Sequence, residues 1–174
     1  TFIETWVEPV LRTMVKLEHL WRMADKMKVF VDFVPLRVGN PDLWGLYISN
    51  LALLAECKIK KTCPTIFLDK SLETDYRMQK CILAEEIGHH LTAPRTDIRR
   101  VYTSFKKFNG NEEILMAKDE RKALRWATEF LMPTKKFCLM LSKDYLLYEI
   151  AEQFFVTEWM VWRKLEILRV KEMA

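Results

Sequence analysis

Apolar residues recur at helical spacing from Phe2 to about Met27, through Val7, Leu11, Met14, Leu17, Leu20 and Trp21, and predict one amphipathic helix with Pro9 near its start. Three β-branched and aromatic runs follow, Val29 to Val34, Leu43 to Ser49 and Thr65 to Asp69, and each predicts a strand. Pro35 stops the first, and Gly39-Asn40-Pro41-Asp42 is a turn signal before the second. Leu51 to Lys61 has no clear period and fits strand or helix equally. From Glu73 or Thr74 to Leu91 the apolar positions wrap most of a helical circumference, which puts that helix in the middle of a core. Thr92-Ala93-Pro94 ends it, because the residue before proline is pushed out of the helical region. Glu112 to Leu131 predicts a further helix closed by Pro133, and Tyr145 to Phe154 and Glu158 to Arg169 predict two more around Phe155-Val156-Thr157. Strands that are few and contiguous, rather than alternating with helices, give an α+β class: mainly helical, with a small sheet and a C-terminal helical hairpin. The expected division is a main domain over 1–133 and a helical subdomain over 134–174.

Composition narrows the picture only a little. A chain of 174 residues that is 50% hydrophobic supports one full core and a small appendage. The formal charge of +4 is modest, and the basic residues are scattered in short clusters that read as solvated surface. Basic and aromatic residues mix between Asp97 and Asn111, but too sparsely for a nucleic-acid stacking surface. No apolar run approaches the ~20 residues of a membrane span, and Thr1 to Val10 has no basic stretch leading into an apolar one, so the expectation is a soluble cytoplasmic protein without membrane contact. Cys57, Cys63, Cys81 and Cys138 form no Cys-x-x-Cys pair and read as reduced, mostly buried thiols. The six Trp and ten Phe read as core.

The chemistry is concentrated in Leu83-Ala84-Glu85-Glu86-Ile87-Gly88-His89-His90-Leu91. On a helix Glu85 and His89 stand one turn apart on one face, with Glu86 beside them. That is the arrangement of the His-Glu-x-x-His zinc motif with Glu85 at the first His position. Adjacent glutamates on a buried helix are costly unless something compensates, and a metal ion is such a compensation. In the next helix Glu120, Ala123 and Ala127 share a face. If its small residues meet the first helix at Gly88, Glu120 arrives at the same point as Glu85 and His89; an exposed glutamate on an amphipathic helix is the plainer alternative. His90 is a candidate to support the site from behind, or to pair with Glu86 one turn away.

Together these residues resemble the ImmA/IrrE metallopeptidases of bacteria and their mobile elements. The resemblance rests on Ile82 to Thr92 and on Glu120-x-x-Ala123-x-x-x-Ala127 leading to Leu131-Met132-Pro133, and includes Gly45-Leu46-Tyr47-Ile48 and Ile66-Phe67-Leu68-Asp69. It covers roughly residues 45–133. It implies a zincin-like core with a divalent metal, zinc first, held by Glu85, His89 and Glu120, and with Glu86 as catalytic base. Glu85 looks like the variant of Gram-positive and phage members. The implied function is limited proteolysis of a helix-turn-helix repressor of a phage or mobile element, the alternative being a catalytically impaired regulator that binds a repressor without cutting it. A carboxylate at position 85 adds negative charge to the ligand set and should weaken the metal's pull on water. The hairpin run Ile150-Ala151 to Lys164-Leu165 resembles a helix-turn-helix, but Phe155 occupies the turn position where glycine is usual, which argues against that geometry; DNA binding is not expected.

Overall fold

The structure is a computed structural model that describes residues 14–49, 63–92 and 110–172. The readings for 51–61 and 97–109, for the start of the first helix and for Cys57 lie outside the described residues.

Helix α1 (Leu17–Lys26) starts later than its apolar period suggests, because Met14 to Lys16 are not helical. Lys16 is extended (φ −86°, ψ 153°), and its backbone N–H donates to His19 Nδ1 at 3.2 Å, so His19 is a capping residue. Strands β1 (Phe30–Val34), β2 (Gly45–Ile48) and β3 (Thr65–Asp69) form a sheet of order β1-β3-β2, parallel between β1 and β3 and antiparallel between β3 and β2. All five β3 residues are buried, as a central strand covered on both faces requires. At its end Asp69 accepts hydrogen bonds from the Ser71 amide (3.0 Å) and hydroxyl (2.6 Å) and from the Arg37 amide (3.0 Å). These bonds tie the loop before β2, which holds the 3-10 turn Leu36–Val38, to a second 3-10 turn at Lys70–Glu73.

Helix α2 (Tyr76–Thr92) follows directly. It begins a turn later than its acidic residues suggest, because Asp75 is not inside it but caps it, accepting from the Met78 amide at 3.0 Å. Ten of its 17 residues are buried, so it is the central helix that its apolar circumference predicts. Helix α3 (Gly110–Leu131) packs along it. Next comes α4 (Thr134–Leu141), a helix not read in the sequence, which buries Phe137 and Met140 at i and i+3 behind the N-terminal Pro133.

The hairpin consists of α5 (Leu147–Phe154) and α6 (Glu158–Glu172). Between them Phe155 adopts φ 49°, ψ 56°, the left-handed conformation that its side chain was expected to resist. Left-handed backbone costs an ordinary residue about 1–2 kcal/mol. Cations from α2 meet the ring in partial compensation, with Arg77 5.0 Å and Lys80 5.7 Å from its centroid. Lys80, wholly buried, also donates to the Phe154 carbonyl at the end of α5 at 2.6 Å. One cluster draws buried side chains from both sides of Pro133, including Ile66, Leu83, Phe137, Phe154 and Met160, while Leu46, Ile48 and Phe67 form a smaller one on the other face of the sheet. Two expectations about side chains are corrected here. Cys138 is exposed, since it lies on the outer face of α4, while Cys63 is half-buried and Cys81 buried. Trp159 and Trp162 are 38% and 48% exposed rather than core, because Met160 and Val161 supply the buried face of α6. No helix among the described residues is long and apolar enough to cross a membrane.

Candidate metal centre

Two helices bring the predicted residues together, and a glycine sets how closely they do so. An added Cβ on Gly88 would stand 2.5 Å from the Ala123 carbonyl oxygen and 3.1 Å from its Cα, so the α3 backbone lies against α2 at a point with no room for a side chain. Ala123 and Ala127, both fully buried, keep that face of α3 small. One turn before Ala123, Glu120 then reaches α2, and its Oε2 lies 3.3 Å from His89 Nε2. Glu85, His89 and Glu120 each offer a donor atom within 4.8 Å of the others. A tetrahedral ion with bonds of about 2.1 Å spaces its donors about 3.4 Å apart, so one imidazole and two carboxylates at these separations fit a divalent cation. His89 is buried and the two glutamates half-buried, which leaves an open side.

Glu86 lies on the same stretch of helix and is 4% exposed, with its Oε2 buried and lacking a hydrogen-bond partner. A carboxylate in that condition is expensive unless a cation or a proton-bearing ligand faces it. It faces the cleft. Strand β2 crosses just above, where an added Cβ on Gly45 would stand 2.7 Å from Glu86 Oε1 and 2.6 Å from Ile82 Cγ2. A glycine within a strand pattern is the sequence sign of such a close approach. His90 points elsewhere and shares a 2.7 Å hydrogen bond between its Nδ1 and the Tyr47 hydroxyl on β2. Burial pushes the tyrosine pKa up, against a hydrogen bond with Ser49, and pushes the histidine pKa down. Both directions favour a neutral imidazole accepting from a protonated phenol. Tyr47 was not read as a site neighbour in the sequence, since nothing local couples it to His90 across 43 residues.

A cleft of about 360 Å³ opens over Glu85 and Glu86 and is lined also by Gly45, Met78, Trp44 and Trp159 among others. The family model of the IrrE N-terminal-like domain, peptidase M78, matches residues 29–166. The chain belongs to this family. The match runs from the sheet through both helices carrying the site and into α6, beyond the segment that carries the resemblance in the sequence. No curated protein and no solved structure gave a match. The chain is therefore a metallopeptidase-fold protein of the ImmA/IrrE family, and both the family and the Glu85, His89, Glu120 cluster support a divalent metal.

Proposed function

We propose that the protein is a metal-dependent peptidase in which Glu85, His89 and Glu120 hold a zinc ion and Glu86 is the general base. The observation that carries this reading is the buried Glu86 carboxylate, whose Oε2 lacks a hydrogen-bond partner, lining one cleft with Glu85, itself a member of the Glu85, His89, Glu120 donor cluster. A bound divalent ion would supply Lewis acidity toward a peptide carbonyl and its attacking water. Glu86 accepts a proton from that water and returns it to the leaving amine, and its dry surroundings suit a base that must exchange a proton rather than rest in an ion pair. Glu120 and His89 are held in place by the Gly88 contact, so the ligand set is built into the packing of α2 and α3.

The substrate we propose is a helix-turn-helix repressor protein, following the family resemblance, with control of a phage or mobile element as the outcome. A second reading has its own support. Glu85 puts a carboxylate where the His-Glu-x-x-His motif has a neutral imidazole, so the ligand set carries two negative charges and draws less electron density from bound water. In that reading the protein binds the repressor without cutting it. Incubating the zinc-loaded protein with a candidate helix-turn-helix repressor separates the two. Discrete fragments that vanish with a chelator and with Glu86→Gln support the peptidase, while a stable complex without fragments supports the regulator. Purified protein lacking stoichiometric metal, with Glu86→Gln retaining full biological effect, would exclude the enzyme.

A further inference from the structure

We propose that Trp44, Met78 and Trp159 form an apolar pocket that selects a peptide bearing a large apolar or aromatic side chain close to the bond being cut. This rests on the peptidase reading and gives it a substrate preference. The three side chains line the same cleft as Glu85 and Glu86 and come from three separate parts of the chain. Trp44 immediately precedes Gly45, where an added Cβ would meet Glu86, so the chain carries this lining residue into β2 beside the proposed base. Trp159 arrives from the first turn of α6, and its position relative to α2 is tethered: Thr157, two residues earlier, donates from its amide to Cys81 Sγ at 3.4 Å. Cys81 is one helical turn before Glu85.

Both indoles are braced. The Arg37 guanidinium lies 3.8 Å from the Trp44 ring centroid, and the Arg163 guanidinium 5.4 Å from that of Trp159. Arg37 is itself fixed by a 2.7 Å bond from its Nε to the Pro41 carbonyl. Contacts of this kind restrict ring rotation, so the pocket walls exist before a ligand arrives and binding orders little. Trp159 is 38% exposed, which leaves apolar surface on a cleft that Glu85 and Glu86 also line. An apolar side chain covers that surface.

The test uses positional-scanning octapeptide libraries, each with one fixed position, applied to the zinc-loaded Glu86→Gln protein for retention and to the unmutated protein for cleavage. Retention is expected to favour Phe, Trp and Leu at one position by about 10-fold over Ala and Asp. Trp159→Ala should bring that preference to near parity while leaving preferences at other positions, and Trp159→Phe should restore it. Because Trp159 is at the surface, its variants test the pocket even where Trp44→Ala fails to fold, with circular dichroism as the check. Absence of apolar preference at every position, or a preference unchanged by Trp159→Ala, overturns the pocket. Cleavage without that preference removes the pocket and keeps the peptidase; retention with the preference but no cleavage keeps the pocket and removes the peptidase.

Discussion

Gly88 and the Ala123 carbonyl oxygen meet so closely that an added Cβ would stand 2.5 Å away, and this backbone contact determines how near Glu120 comes to His89. Gly88→Ala must therefore push α3 off α2. The expected cost is about 1–3 kcal/mol of unfolding free energy, as for other overpacked cores, read from urea midpoints at constant slope. Metal affinity falls with it, because Glu120 is displaced. Ala123→Gly does not rescue the variant, since the clash is with backbone.

Removing a proposed ligand should separate metal binding from catalysis. His89→Ala or Glu120→Ala is expected to weaken zinc binding by more than the roughly 10–100-fold that follows loss of an outer-shell partner. Glu86→Gln should leave affinity largely intact. Glu85→His removes one negative charge and restores the His-Glu-x-x-His pattern, and should raise the cleavage rate if the peptidase reading holds. Calorimetric zinc titration of the four variants checks the affinities, and a peptide-cleavage assay of Glu85→His checks the rate.

The turn between α5 and α6 carries a left-handed phenylalanine. Phe155→Gly relieves the backbone and loses the ring's contact with Arg77 and Lys80, so its stability should stay within about 1 kcal/mol of the unmutated protein. Phe155→Ala keeps a Cβ in the unfavourable region and also loses the ring. It should be the less stable of the two by thermal denaturation.

Lys80 gives the protein an alkaline dependence. Burial pulls its ammonium down to about 8, with Cys81 opposing and Arg77 adding to the effect. Between pH 8 and the ordinary lysine value of 10.5 the unfolded chain holds the extra proton, so stability rises with pH in that window. The gain is roughly 3 kcal/mol in full. Lys80→Met should flatten this rise in denaturation curves measured from pH 7.5 to 10.5.

Glu129 acts at the acid end. Burial raises its pKa, but the buried Lys164 ammonium and two hydrogen bonds from Thr134 outweigh that and hold it down at about 2. Its stabilisation is complete above the ordinary carboxylate value of 4.5 and is lost as pH falls toward 2. Because Glu129 is half exposed, Glu129→Gln should cost only about 1 kcal/mol at neutral pH and nothing near pH 2. Paired acid denaturation curves would show the two proteins converging.

The sequence by itself determined the three strands to within two residues at each end, the central helix with Glu85, Glu86 and His89 on it, and the small-residue face beside Glu120. These are consequences of local period, propensity and spacing along one helix, which a chain displays without folding. It mistook Trp159 for core and took Phe155 as evidence against a left-handed turn, because residue type states a preference while neighbours decide whether it is met. Arg77 and Lys80 meet the Phe155 ring from a helix 75 residues away, and Met160 and Val161 took the buried face of α6. Only the tertiary structure brought Glu120 to His89, Tyr47 to His90 and the two indoles to the Glu86 cleft. Each of these depends on a backbone approach, at Gly88 and Gly45, or on an anchoring bond from Thr157 to Cys81, whose length no one-dimensional pattern encodes.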